Sequence, residues 1–253
     1  MATQVLSGRE RLFVAGFSYS AKIKTLENPV TPDPVPAIFA ELSKGDLDDI
    51  LSYSRMRTFG RDELLFSQGQ AARNLIVLQS GSVKHTQLSS DGDEVLIRVS
   101  GPGEAVNLQM DLNTCNHSCS ARAKEECKAW IWETRKLQDL LDRHPRLRAN
   151  ITHLLASRLN ELEERFREIA TEKVARRLAL VLLRLMKQIG KNSAEGTRLL
   201  LSREELAQMT GATLFTISRV LSRWAELGLV SPRRRVVVIC DATRLETVGG
   251  DLI

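Results

Sequence analysis

Cys115, His117 and Cys119 alternate in the run Cys115-Asn-His117-Ser-Cys119, and Cys127 follows eight residues on. Two thiols and an imidazole on one loop can ligate a metal, haem iron or an iron–sulfur cluster, or act as a thiol switch. The spacing matches no established four-ligand motif, so the metal stays unspecified and bare thiols remain an alternative. Free cysteine is also among the most buried residue types. Cys127, where a strand should begin, and Cys240, beyond a later strand, therefore read as structural.

A second chemistry-bearing set lies in Leu201 to Val230, which reads as two short helices joined by a tight turn, the outline of a DNA reader. Ser202 is a candidate N-cap with Glu205 as its capping-box partner, and Leu206 and Met209 recur on one face. Gly211 allows a sharp turn, and Thr213 can cap the second helix. Ile217, Val220, Leu221 and Trp224 then form an inward face, leaving Thr216, Ser218, Arg219, Ser222 and Arg223 outward. Pro232, Arg233, Arg234 and Arg235 precede the β-branched run Val236 to Ile239, as a wing hairpin would. From Arg198 to Arg235 there are seven basic residues against three acidic ones, a net of +4. That is most of the chain's formal +5, and it is the footprint of a phosphate-binding surface.

Arg219 can pair bidentately with guanine O6 and N7, Ser218 lies beside it, and Leu214 and Phe215 offer contact with a thymine methyl group. Thr213, Thr216, Arg203 and Arg233 to Arg235 suit phosphate contacts, which position without specifying sequence, and Arg223 adds to the same basic face. The chain carries no phosphate-binding P-loop, no H-E-x-x-H and no G-x-S-x-G, and its four histidines are scattered singly. The expectation is therefore no enzyme. A thiol-based redox enzyme using Cys115 and Cys119, and a DNA-binding module that senses nothing, are the alternatives.

The elements that must position these residues fall into blocks. With 253 residues, 43% hydrophobic and 26% charged, the chain suits two globular domains. The most apolar helical run, Leu178 to Ile189, is broken by Arg184 and Lys187, so no membrane partner and a cytoplasmic location are expected. Pro32, Pro34 and Pro36 close an N-terminal extension, and Ile38 to Met56 reads as a helix broken at Gly45. Short β-type runs then follow at Glu63 to Phe66, Asn74 to Gln79, Ser82 to Leu88, Glu94 to Val99 and Ala129 to Trp132, with glycines at the turns. A long helix after Pro145 carries a coiled-coil-like seam of Ile151, Leu155, Leu159, Leu162, Phe166 and Ile169, continuing from Leu147. Burial of that seam within its own domain is the competing expectation. Homodimerisation is favoured, since two-fold symmetry supplies a second half-site.

In the order of these parts the chain resembles the bacterial regulators typified by the cyclic-AMP receptor protein and the fumarate and nitrate reduction regulator. Three segments carry the resemblance: DELLFSQGQAARNLIVLQSGSVKHTQLSSDGDEVLIRVSGPGE, HPRLRANITHLLASRLNELEERFREIATEKVARRLALVLLRL and LSREELAQMTGATLFTISRVLSRWAELGLV. It implies an α+β protein with a jelly-roll sensor domain, a dimerisation helix and a winged helix-turn-helix. The expected boundaries are a 1–36 extension, a 37–143 sensor, a 144–171 dimer helix and a 172–253 reader. Double-stranded promoter DNA and RNA polymerase are the implied partners.

The departures from that pattern matter equally. Where cyclic-nucleotide binders in the family carry Gly-Glu-Leu and then Arg-Ser or Arg-Thr, this chain reads Asn107-Leu108-Gln109 and His117-Ser118. Without the carboxylate and the guanidinium, a cyclic phosphate loses its charge-assisted donors, so cyclic AMP is an unexpected ligand. The cofactor is expected to be haem, an iron–sulfur cluster or none. Iron–sulfur members carry most of their cysteine ligands near the N-terminus, and this chain has none before Cys115. A redox or diatomic-gas signal read by Cys115, His117 and Cys119 is the resulting expectation.

Overall fold

The computed structural model describes residues 35–90, 92–108 and 116–248. Cys115 and Gln109 thus lie outside the described residues, as does the extension up to Pro34. The expected helix from Ile38 to Met56 is instead a 3-10 turn at Ala37–Phe39 and a helix α1 at Lys44–Ser52. Ser43 caps α1 by accepting from the Asp46 amide, and the break falls at Glu41, where φ is +57°, rather than at Gly45. Met56 already belongs to the first strand, β1 (Arg55–Phe59).

Two antiparallel sheets form the roll. One orders β1, β7 (Cys127–Glu133) and β3 (Asn74–Ser80), and the other orders β2 (Leu64–Phe66), β6 (Ser120–Ala123), β4 (Val83–Leu88) and β5 (Glu94–Ser100). The first sheet is buried on both faces, and period-2 alternation divides its residues accordingly. Ile76, Leu78, Ala129 and Ile131 turn into the roll with Phe59, Phe66 and Val83. Leu75, Val77, Trp130 and Trp132 turn outward, against α1, the helix α2 (Thr134–Arg143) and the start of α3 (Pro145–Thr171). Trp132 donates its indole N–H to the Ile50 carbonyl at 2.8 Å, which satisfies the one polar atom of a fully buried ring.

Strand β5 obeys a different rule. Its pairing with β4 slips between His85 and Thr86, so that His85 faces Arg98 while Thr86 faces Leu96, and Ile97 is the extra residue of a β-bulge. Strict alternation would set Leu96 and Val99 on opposite faces. The bulge puts both on the outer face and leaves Arg98 and Ser100 directed inward beside His85. Leu96 and Val99, 3% and 0% exposed, join the core of the C-terminal unit rather than that of the roll.

That unit begins with α4 (Val174–Ile189), whose Ala175, Leu178, Ala179, Leu182 and Leu185 form its buried stripe. The hairpin β8 (Lys191–Ser193) and β9 (Gly196–Leu199), which the sequence pattern did not expose, extends the wing sheet to the order β10, β11, β9, β8, with β10 at Val230–Arg233 and β11 at Val236–Ile239. Two helices, α5 (Arg203–Thr210) and α6 (Leu214–Glu226), pack on α4.

The roll and the C-terminal unit touch through several kinds of contact. Gln208 of α5 brackets β5, its Oε1 accepting from the Leu96 amide at 3.0 Å and its Nε2 donating to the Glu94 carbonyl at 3.3 Å. Lys124, buried beside the end of β6, pairs with Glu205 of α5. Gly101 lies so close to α4 that a Cβ would sit 2.1 Å from the Gln188 carbonyl oxygen, so only glycine fits this approach.

Ile151 corrects one expectation about the long helix. It is 1% exposed and packed within its own chain, near the 3-10 turn whose Ile38 and Ala40 carbonyls accept from the neighbouring Asn150. Leu155, Leu159, Leu162, Phe166 and Ile169 are 41 to 76% exposed in the single chain, and they form an uncovered apolar stripe.

Candidate functional site

The reader is assembled by local signals. In α5 the Ser202 hydroxyl accepts from the Glu205 amide at 3.1 Å while Glu205 accepts from the Ser202 amide at 2.8 Å, a complete capping box. Gly211 ends α5 in the left-handed region at φ +61°. Thr213 then caps α6 by accepting from the Thr216 amide at 3.1 Å, and its hydroxyl also meets that of Thr216 at 2.9 Å. Ile217, Val220, Leu221 and Trp224 of α6 are buried at 0 to 2% exposure. The opposite face is open: Phe215, Ser218, Arg219, Ser222, Arg223 and Glu226 line a shallow groove.

The arginines differ in what holds them. Arg219 and Arg203 are exposed and make no hydrogen bond or ion pair among the described residues, whereas Arg223 pairs with Glu226 at 3.0 Å. On the wing, Arg233 pairs with Glu195 from the β8–β9 turn, which neutralises one of the three expected phosphate contacts. Arg234 and Arg235 occupy the exposed hairpin tip, Arg235 with φ at +59°. Arg235 also borders a polar cleft of about 260 Å³ between roll and reader that includes Arg61, Lys84 and Glu204.

Of the three residues expected to act together in the roll, Cys115 lies outside the described residues, and His117 and Cys119 turn to different partners. His117 stacks on Phe66 with ring centroids 3.7 Å apart, and burial lowers its pKa. The Cys119 thiol turns instead toward His85, Sγ to Nδ1 3.8 Å. Among the described residues no group of three or more His, Cys, Asp or Glu could hold a metal ion. His85, one of the singly scattered histidines, proves central. Its Nε2 lies 3.0 Å from the Ser100 hydroxyl and 3.1 Å from the Arg98 guanidinium, which also donates to the Val106 carbonyl at 2.9 Å. Burial, reinforced by Arg98 and Arg158, holds the His85 pKa well below its usual value, so the ring is neutral.

Around this centre lie half-buried charges of both signs, Arg98 and Arg158 against Glu104. Arg158 of α3 donates to the Ala105 carbonyl, and burial together with Arg98 pushes its pKa down to about 10. Burial raises the Glu104 carboxyl, while Arg98 and Arg158 act against that rise. Arg98, Arg158 and Glu104 were missed by sequence reasoning. The one signal was a lone arginine inside the apolar run Glu94 to Val99. Asn107 is committed to the backbone, accepting from the Ile76 amide and donating to the Asn74 carbonyl. Leu108 beside it is buried.

Comparison with known proteins agrees with this architecture. Residues 56–144 match the cyclic nucleotide-binding domain and residues 176–248 match the Crp-like helix-turn-helix domain. The chain is 29% identical to the cyclic AMP receptor protein of Thermus thermophilus, over 84% of this chain and 96% of that one. It is 26% identical to the anaerobic regulatory protein of Haemophilus influenzae, covering 85% of this chain and 84% of that one. Among solved structures, the c-di-GMP-responsive global regulator CLP of Xanthomonas campestris is 26% identical, with a TM-score of 0.65 over 78% of this chain and 99% of that one. The chain belongs to the CRP/FNR family of transcription regulators. Among the described residues no helix is long and apolar enough to cross a membrane.

The cysteines sort by burial. Burial raises the thiol pKa of both Cys119 and Cys127, and Cys127 also donates to the Ser82 carbonyl at 3.3 Å. Cys240, expected to be structural, is exposed. Since the thiolate is the reactive form, limiting iodoacetamide near neutral pH should label Cys240 about ten-fold faster than Cys119 or Cys127. Peptide mass spectrometry reads the rates, and a Cys119 labelled as fast as Cys240 would contradict this ordering.

Proposed function

We propose that this regulator works as a homodimer that reads promoter DNA with α6 and positions itself with the wing, and that its roll senses something other than a cyclic nucleotide. The open face of α6, with Arg219 uncommitted beside a buried Ile217–Trp224 face, is the observation that carries the reading. The dimer is supported by the stripe from Leu155 to Ile169, which exposes large apolar side chains that water disfavours. RNA polymerase is the proposed partner on the promoter, and no catalytic activity is assigned.

The sensor reading rests on chemistry at two positions. A cyclic phosphate would meet an uncharged, stacked His117 where family binders offer a guanidinium, and in place of a ribose-holding carboxylate stands Leu108, packed in the core outside the roll. The contact of the Cys119 thiol with the His85 ring supports a redox or diatomic-gas signal. The raised Cys119 pKa argues for a change at this centre that does not depend on a standing thiolate. Calorimetric titration with cyclic AMP should give no binding heat at micromolar concentrations, and tight binding would overturn this part.

Leu162→Asp would bury an unpaired carboxylate in the dimer seam and should give monomers by light scattering. A variant that stays dimeric would place the seam elsewhere. Arg219→Ala should cost about 1–3 kcal/mol on the preferred site and relax its sequence preference, while Arg234→Ala should weaken all duplexes alike and flatten the salt dependence. Equal losses on specific and random DNA for Arg219→Ala would remove it from base reading.

A further inference from the structure

Phe215 sits in the first turn of α6 with 76% of its surface exposed, and Leu214 before it is 45% exposed. Neither joins the core, which on this helix belongs to Ile217, Val220, Leu221 and Trp224. Phe215 lies on the same outward stripe as Ser218, Arg219 and Ser222, at the i, i+3, i+4, i+7 spacing of one helix face. A bare phenyl ring beside an uncommitted guanidinium is a specific chemical combination.

The rest of that face narrows what it can read. The hydroxyls of Thr213 and Thr216 are spent on each other and on the helix cap. From Thr213 to Ala225 there is no Asp, Glu, Asn or Gln, and Glu226 is paired with Arg223. The bidentate or charged acceptors that read the exocyclic amino groups of adenine and cytosine, a carboxamide or a carboxylate, are missing here. Only the single hydroxyls of Ser218 and Ser222 can accept, whereas thymine presents a 5-methyl group that an apolar surface suits. We propose that Phe215 is a specificity-determining residue that recognises thymine through its 5-methyl group, next to the guanine read by Arg219. This rests on the reading of α6 as the major-groove helix. Four helical residues rise about 6 Å and one base pair about 3.4 Å, so the thymine lies within about two base pairs of that guanine.

The test begins with selection of preferred duplexes from a random pool by the full-length protein, prepared with and without oxygen. Each thymine of the selected site is then replaced in turn by uracil, which keeps the pairing and removes only the methyl group. One position per half-site, within two base pairs of the guanine whose preference Arg219→Ala relaxes, should lose about three- to five-fold in affinity, the worth of one buried methyl. That loss should vanish in Phe215→Ala, whose fold is preserved because the ring is outside the core. Indifference to uracil at every thymine, or an undiminished loss in Phe215→Ala, overturns the assignment while leaving DNA reading intact. Failure to enrich any sequence in either preparation overturns both.

Discussion

The β-bulge at Ile97 is the constraint on which the molecule's organisation turns. One extra residue in β5 puts Leu96 and Val99 on the outer face, where each contributes about 1.5–3 kcal/mol of burial to the reader's core. The same residue rotates Arg98 and Ser100 into the roll to meet His85. The carbonyl of Ile97 accepts from Arg165 of α3 at 3.1 Å, so the long helix grips the bulge itself. The roll interior, the long helix and the helix-turn-helix unit therefore share one strand, and a change at His85, Arg98 or Cys119 acts on a backbone that α5 rests against.

The polar contacts around β5 make that shared strand directional. Gln208 uses both ends of its carboxamide on β5, and Glu205 serves the α5 cap with one oxygen and Lys124 with the other. Removing Glu205 would leave the Lys124 ammonium buried without a partner, a change that costs about 3–5 kcal/mol in buried pairs. Farther along, the buried Glu168 accepts from Arg184 at 2.5 and 2.9 Å, which fixes the end of α3 against α4. Arg177 ties the same corner to α5 through the Thr210 carbonyl at 2.9 Å. These contacts tie α5 to the sensor while leaving the outward face of α6 uncovered.

What could be read from the sequence was what local chemistry decides. The capping box of Ser202 and Glu205, the turn at Gly211, the Thr213 cap and the inward face of α6 are all set within four residues. The roll was legible from glycine-punctuated β runs, although β1, β6 and the β8–β9 hairpin were not, being short and partly polar. The sensor centre was hidden because it depends on register. A single slip between β4 and β5 decides whether Arg98 points at His85 or outward at the core built on α4 and α5, and no spacing in the sequence announces it. Ile151 was misassigned for a related reason, since the turn that covers it comes from residues more than a hundred positions earlier. Cys240 follows a strand but lies on its exposed end, where burial statistics for cysteine do not apply.

Native-state hydrogen exchange, followed residue by residue in the full-length protein, tests the shared strand most directly. If β5 belongs to both cores, the Leu96 amide and the amides of α5 open with the same free energy, and Gln208→Ala lowers both together. Exchange in which α5 opens several kcal/mol more easily than Leu96, with the Leu96 amide unaffected by Gln208→Ala, would contradict the account.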